Sequence, residues 1–446
     1  MGKPVGVQVP LRAPFEDPPG LHRQADFFMP DLALIAAVLL LGTAYYPLCR
    51  LAPSSLGFQL LLLLALGLLG LCLWPLRQGP RQNRPPAGQA ALLALLQLPL
   101  LAVAYFFHAH VQWGRTQAGI DWTAPSLALA LAACLWLWSW RKPLAPEGEA
   151  LAGVLAGLAL QGAAIAAFQL GHFSDMLPLV QSAGRLLLAG QSPYSEVTLF
   201  PGEVIRTTYL PGLWLSYLPA VALGLDPRWL NLVFLAAFAA LFYAASPVPR
   251  RPWAAALLVL FFANPWLLFR HEVYLPALLW VLALVGWAQS RRRPWLEAAA
   301  MGFLAASSQL AWPLALVWLC WRWGRAERSS LAMAALVFAA LIIPFFCWDP
   351  AGMEAGIFGH WKDSVEVTHF NLYRWLPWPP LLAALQALGV LACGVWAWRR
   401  PAAGFWLPAL AATSLFLLGL FHVSHYFYFI PAALFLFTWI SHVDSH

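Results

Sequence analysis

The chain has 446 residues, of which 61% are hydrophobic and 10% charged, and its formal net charge is +7. Average soluble domains carry about 25% charged residues, so this composition and a mean hydropathy of +0.68 exclude an ordinary soluble enzyme, a disordered chain and a nucleic-acid-binding domain. The Lys and Arg residues stand in short groups between long apolar runs, which is typical of cytoplasmic loops. The composition therefore predicts a polytopic membrane protein.

The N-terminal third of the chain contains a tail and a first series of apolar runs. Residues 1–30 lack a short apolar core that ends in a small-residue cleavage site, so we expect a cytoplasmic tail and no cleaved signal peptide. Runs long enough to span a bilayer follow at 31–49, 56–76, 90–107 and 123–140. Basic residues after the second and fourth runs predict that both of these ends are cytoplasmic. We interpret 31–145 as extra N-terminal helices that precede a core of residues 146–446.

The core continues the series of apolar runs. Besides a longer run at 296–321, they occupy 150–170, 210–224, 229–245, 253–268, 275–289, 330–346, 381–398, 402–420 and 427–441. Together the runs predict an all-α, polytopic transmembrane fold of about 13–15 membrane helices with both termini in the cytoplasm. The location of Arg250 and Arg251 stays open. An arginine pair is typical of a cytoplasmic loop, but if the runs 210–224 and 229–245 both cross, a chain that starts outside returns to the outside at this pair. Either 210–224 is re-entrant or this arginine pair is an exception to the charge rule.

The run at 296–321 has basic residues at both ends. Arg291–Arg293 precede it, and further arginines follow it between 322 and 328. Two cytoplasmic ends require an even number of crossings, so we predict a pair of short helices that meet at a break near Gln309–Pro313. Such a break is tolerated at membrane depth only where it lines protein or a watery cavity.

Two segments are too long and too polar for simple turns, at 171–209 and 347–380, and the predicted topology places both outside. Asp175 lies within a few residues of the end of a membrane span, where a carboxylate costs free energy unless it faces water or a partner. Residues 176–189 form an amphipathic stretch that suits a helix at the membrane interface. Asp175 is therefore either a functional carboxylate or the N-cap of that helix.

A sequence of motifs follows Asp175. Its residues are Phe173, Asp175, Gly190, Pro193, Tyr194, Tyr209 and Pro211. This order resembles the GT-C superfamily of membrane glycosyltransferases, in particular glycosyltransferase family 87 and the polyprenol-phosphate-mannose-dependent mannosyltransferases. The stretch FFANPWLLFRHEVYLPALLW, the predicted break at Gln309 and the C-terminal FHVSHYFYFIPAALF support the resemblance, which covers residues 168–441.

The resemblance implies a GT-C-like core that transfers one mannose-like hexose, with inversion, from a polyprenyl-phosphate donor to a lipid or glycan acceptor. It assigns the general base to Asp175 and places the site on the outer, periplasmic side of a bacterial inner membrane. Membrane lipids are the other expected partners, and no nucleic acid is expected. The substrate-binding candidates are His172, Tyr194, Arg206, Tyr209, Arg270, His271, Glu272, Gln309, His369, Asn371, Arg374, His422, His425 and Tyr426. We expect the two outer loops to pack together over one cavity, with the last two histidines at its rim.

No cofactor is firmly implied. His422 and His425 are three residues apart and would face the same way on a helix, so a divalent cation is an alternative to a direct substrate contact, although a third ligand at fixed spacing is missing. Two other classes stay open: a transporter or flippase of lipid-linked glycans, and a non-catalytic relative of the transferases. The non-catalytic alternative rests on two departures from the family's motifs. Arg270–Glu272 replace the family's Gly-Gln, and Gln309 stands where lysine is common.

Overall fold

The computed structural model describes residues 176–200, 203–262, 273–359, 378–420 and 429–441, with isolated helical positions between 148 and 165. The described part is mostly helical, as the apolar runs predict. The predicted tail at 1–30 and the extra helices of 31–145 lie outside the described residues.

Most of the described helices overlap predicted runs of the core, and two lie in the polar segments 171–209 and 347–380. The helices are α1 Met176–Leu188, α2 Pro211–Ala222, α3 Arg228–Ala245, α4 Arg251–Phe262, α5 Leu275–Ser290, α6 Pro294–Ala305, α7 Trp312–Gly324, α8 Arg328–Trp348, α9 Pro350–Glu354, α10 Pro379–Arg399, α11 Trp406–Gly419 and α12 Phe429–Ser441. A π-helical turn at Ala355–Gly359 continues α9. The strands β1 Val197–Phe200 and β2 Glu203–Ile205 pair in antiparallel fashion, so the all-α prediction needs a small correction. Both strands contain β-branched residues, among them Val197 and Ile205, which suit a pleated backbone.

Within the ranges that the structure describes, three helices, α3, α8 and α10, are long and apolar enough to cross a membrane. Helices α8 and α10 also expose large apolar side chains, among them Leu336, Ile343, Phe346, Leu385 and Leu388. A monomeric soluble protein rarely exposes contiguous apolar surface on this scale, whereas a lipid-facing helix requires it. The described part is therefore a helical structure with the character of a membrane protein.

The break in the run 296–321 is confirmed. Helix α6 ends at Ala305, a 3₁₀ turn spans Gln309–Ala311, and α7 begins at Trp312. The side chains of Glu297 and Arg322 form an ion pair, although in one continuous helix 25 residues would separate them by about 37 Å. The two helices therefore run antiparallel as a hairpin, as the charges at its ends predict.

The arginine groups converge at one end of the bundle. Arg291 donates a hydrogen bond to the Ala244 carbonyl oxygen at the end of α3, 3.4 Å away, and Arg251 stacks on Tyr243. We call the region formed by residues 244–251, 289–297, 318–328 and 396–401 the arginine end, and the opposite end of the hairpin the loop end.

Helix α2 occupies most of the run 210–224, whose crossing of the membrane stays open. Its 12 residues extend about 18 Å, the same length as α6 of the hairpin. The Gly212 N–H donates to the Ala306 carbonyl oxygen at the hairpin tip, 2.8 Å away. A side chain at Gly212 would place its Cβ 2.5 Å from Ser307 Oγ, so only glycine permits this approach. Helix α2 therefore starts at the loop end, directly beside the hairpin tip.

Candidate functional site

The helix predicted after Asp175 is confirmed as α1, which begins at Met176. Asp175 itself lies outside the described residues. The buried face of α1 includes Leu179, Val180 and Ala183, and Gly184 packs against Val221 of α2. The segment that follows the candidate base is thus held on α2, whose first turn meets the hairpin tip.

Gly190 turns the chain from α1 into the first outer loop. Its φ is +70°, the left-handed region in which a Cβ is unfavourable. The N–H of Gln191 donates a hydrogen bond of 2.8 Å to the Leu186 carbonyl oxygen. The N–H of Gly190 donates one of 3.0 Å to the Leu187 carbonyl oxygen. These two bonds form a Schellman motif, which fixes the direction in which the loop leaves the helix.

Tyr194 is the anchor of this loop. Its ring is fully buried, and its hydroxyl donates to the Tyr209 carbonyl oxygen at 2.9 Å. Burial raises the pKa of the Tyr194 hydroxyl well above its ordinary value. The geometry leaves Tyr194 no exposed surface for a ligand, so its contribution is to hold the loop in shape.

Arg206 is placed by the β-ribbon. Val197 pairs with Ile205, so the residues just outside the ribbon, Glu196 and Arg206, face each other across it. Their side chains form an ion pair of 2.8 Å, and Arg206 Nη1 also donates to the Tyr194 carbonyl oxygen at 3.1 Å. The Arg206 side chain keeps 32% of its surface exposed, which leaves a fixed positive charge at the surface of the loop.

Asp349 joins the two outer loops. The Ser192 hydroxyl donates to Asp349 Oδ2 at 2.7 Å, and the Gly352 N–H donates to Oδ1 at 2.9 Å, so Asp349 is also the N-cap of α9. The Ser192 hydrogen bond, with smaller help from the Gly352 N–H and the Arg206 charge, lowers the pKa of Asp349 below its ordinary value.

Apolar packing strengthens this junction. Tyr194, Leu210, Met353 and Ile357 form a small buried cluster, and the backbone of Gly356 lies directly against the Thr207 carbonyl oxygen. The described parts of the two long polar segments therefore pack together, as expected. The cavity expected beneath them and the histidines at its rim stay predictions, because 360–377 and 421–428 lie outside the described residues.

The hairpin tip completes the assembly. Gln309 Nε2 donates to the Thr208 carbonyl oxygen at a long 3.5 Å, and the hydroxyls of Tyr274 and Ser308 share a buried hydrogen bond. The polar residues that break the helix thus find partners in the first outer loop and at the start of α5. We call residues 191–210, 306–311 and 349–359 the loop cluster.

An exposed aromatic pair flanks the loop cluster. Trp312 at the start of α7 is 37% exposed and Phe358 in the π-helical turn is 48% exposed. Their ring centroids are 6.5 Å apart with planes inclined by 52°, and the Trp312 indole N–H donates to the Ala305 carbonyl oxygen at 3.0 Å. Aromatic faces held in this way offer a rigid surface for the apolar face of a sugar or for a hydrocarbon chain.

The loop cluster brings together Tyr194, Arg206, Tyr209 and Gln309. The remaining candidates fall outside the described residues: Asp175, His172, Arg270, His271, Glu272, His369, Asn371, Arg374, His422, His425 and Tyr426. Among the residues that the structure describes, no three His, Cys, Asp or Glu side chains are grouped to hold a metal ion.

Sequence reasoning missed several members of the cluster. Ser192 and Asp349 link the two loops, Tyr274 binds the hairpin tip from outside the cluster through Ser308, and neither these contacts nor the exposed aromatic pair was foreseen. The Asp349-Pro350 dipeptide does carry a helix-start signal, with Asp at the N-cap and Pro at the first helical position.

The fold and the cluster define a class: a helical protein with helices able to cross a membrane and a cross-linked polar loop assembly at one end. Comparisons with protein-family models, with curated proteins and with solved structures find no match to this chain.

Proposed function

We propose that this protein is an integral-membrane glycosyltransferase with a GT-C-like core. It moves a single sugar, with inversion, from a polyprenyl-phosphate donor to a lipid or glycan acceptor. The observation that supports the proposal best is the loop cluster, in which both outer loops and the hairpin tip are tied together opposite the arginine end. Because basic loops face the cytoplasm, this arrangement favours a site on the outer side of the membrane.

The proposed chemistry starts at Asp175. Its carboxylate accepts the proton of the acceptor hydroxyl while the acceptor oxygen bonds to the anomeric carbon of the donor. The bond between that carbon and the phosphate oxygen breaks on the opposite face, and polyprenyl phosphate leaves. A positioned general base contributes about 10²–10⁴ in rate.

The leaving phosphate needs cations or hydrogen-bond donors that stabilise its charge. Arg206 is the only cation in the described residues of the loop cluster, and two of its nitrogen atoms already hold the loop together. We therefore assign Arg206 to the rim of the site and expect Arg270 and His271, which the sequence places just before α5, to lie closer to the phosphate. Trp312 and Phe358 provide the apolar surface for the sugar or the first isoprene units.

The test offers the purified protein a panel of radiolabelled polyprenyl-phosphate sugars together with membrane lipids. We expect transfer from at least one donor, and Asp175→Asn to reduce it by about 10² or more. The control is Glu354→Gln, which changes an exposed carboxylate of the second polar loop and leaves transfer within a few-fold.

Other outcomes contradict the proposal. Near-normal transfer by Asp175→Asn would identify a helix cap, because Asn and Asp serve equally well there. No transfer from any donor, combined with movement of lipid-linked glycans across proteoliposomes, would identify a transporter. Absence of both activities in folded protein would favour the non-catalytic alternative.

A further inference from the structure

The arginine end carries a group of exposed cations where α7, α8 and α10 meet. The Trp321 indole N–H donates to the Pro401 carbonyl oxygen at 2.8 Å, and the backbone of Gly324 packs directly on that of Trp398. These contacts join the turn between α7 and α8 to the end of α10. We call the four exposed arginines of this junction the basic rim: Arg325, Arg328, Arg399 and Arg400.

The acids near the basic rim are already paired. Glu297 binds Arg322, and Glu327 binds both Arg322 and Arg325. Within the described ranges, no acid forms an ion pair with Arg328, Arg399 or Arg400, so the rim keeps a net positive charge. A guanidinium remains charged at every physiological pH and matches the geometry of a phosphate.

An apolar stripe leads along α10 to the same cations. Leu388, Leu391, Val395 and Trp398 are all exposed, and their spacing of three, four and three residues places them on one face of the helix. Trp323 of α7 is 66% exposed and directly precedes Gly324, whose backbone packs on that of Trp398. The surface therefore matches the parts of a phospholipid in sequence. It is apolar along the helix, where an acyl chain would lie, aromatic at the interface, and cationic beyond it, where the phosphate would lie.

We propose that the basic rim and this stripe bind an anionic phospholipid, with the phosphate at Arg399 and Arg400 and an acyl chain along α10. The charge selects phosphatidylglycerol or cardiolipin over phosphatidylcholine, because each basic residue near the surface favours anionic lipid separately. A free anion would use the arginines but would gain nothing from the stripe, so the surface fits a lipid better than soluble phosphate. This binding is independent of the proposed transferase activity.

The experiment titrates phosphatidylglycerol, phosphatidylcholine or soluble glycerol phosphate into the full-length protein in detergent, with native mass spectrometry and thermal unfolding as readouts. We expect retained phosphatidylglycerol and a rise in Tm with that lipid only. The double variant Arg399→Gln, Arg400→Gln should bind it about ten- to thirty-fold more weakly and unfold at an unchanged temperature without lipid. Arg185→Gln, at an exposed arginine of α1, is the control and should bind like wild type.

Three results would overturn the proposal. They are equal binding by the double variant and wild type, equal retention of phosphatidylcholine, and equal stabilisation by glycerol phosphate alone. If the double variant does not stay folded without lipid, the test uses Leu391→Gln instead. This variant keeps every cation and should still weaken retention of phosphatidylglycerol. Unchanged retention by that variant also counts against the proposal.

Discussion

The ion pair between Glu297 and Arg322 closes the open end of the hairpin, and its removal tests that architecture. The two side chains are only 1% and 6% exposed. Glu297 Oε1 also accepts a hydrogen bond of 2.6 Å from the Trp318 indole N–H, and Arg322 stacks on Trp321 with 4.5 Å between its guanidinium carbon and the ring centroid. Glu297→Gln keeps the shape of the side chain and removes its charge.

The expected loss follows from what remains around Arg322. Removing one partner of a buried pair costs about 3–5 kcal/mol, since the other charge stays buried and unpaired. Gln still accepts the Trp318 hydrogen bond, and Glu327 still accepts from Arg322. We therefore expect Glu297→Gln to lower the free energy of unfolding by about 2–3 kcal/mol, at or below the lower end of that range.

The assay is urea or thermal unfolding in detergent micelles, followed by tryptophan fluorescence. Glu327→Gln, at a 27% exposed carboxylate, is the comparison and should cost less than about 1 kcal/mol. Replacing both Glu297 and Arg322 by Leu should cost less than the sum of the two single changes, because no buried charge is then left alone. A loss below about 0.5 kcal/mol for Glu297→Gln, or strict additivity in the double variant, would refute the reasoning.

Two further predictions concern the loop cluster. Tyr194→Phe removes the hydroxyl that satisfies the Tyr209 carbonyl oxygen and should lower the unfolding free energy by about 1–2 kcal/mol; an unchanged thermal midpoint would contradict this. Because hydrogen bonds from Ser192 and Gly352 lower the pKa of Asp349 below its ordinary 3.8, its contribution to stability is present above that value and is lost as the pH falls through the folded pKa. Asp349→Asn should therefore remove part of the acid dependence of unfolding between pH 5 and pH 2, and identical pH profiles for variant and wild type would disprove the role.

The hairpin is the feature that the sequence predicted best. Arginines at both ends of one apolar run fix the parity of crossings, because moving a cationic loop across a bilayer is unfavourable. Ser307, Ser308 and Gln309 then give the position of the break, since polar side chains inside an apolar run need partners. Both signals are local and depend only on charge and polarity, so they can be read without knowledge of the packing.

The cross-links of the loop cluster could not be predicted in the same way. Ser192 and Asp349 are 157 positions apart, and no local signal pairs a particular serine with a particular aspartate. The Asp-Pro pair marks the start of α9, but the helix start is equally favourable without Ser192. The β-ribbon could not be predicted for a similar reason. Its two short strands are stabilised by loop packing and by the Glu196–Arg206 ion pair, and residue-by-residue strand propensity contains neither effect.

The charges of the loop cluster constrain the proposed reaction further. Its described residues contribute Arg206 against Glu196, Glu203, Asp349 and Glu354, so this part of the site repels a phosphate on balance. Glu196 pairs with Arg206, and Asp349 is engaged with Ser192 and Gly352, which leaves little attraction for an anionic donor. A lipid phosphate at this end therefore depends on cations from outside the cluster, such as the proposed Arg270 and His271. The loop cluster is accordingly better suited to fix the shape of the site and to carry the sugar than to bind the phosphate.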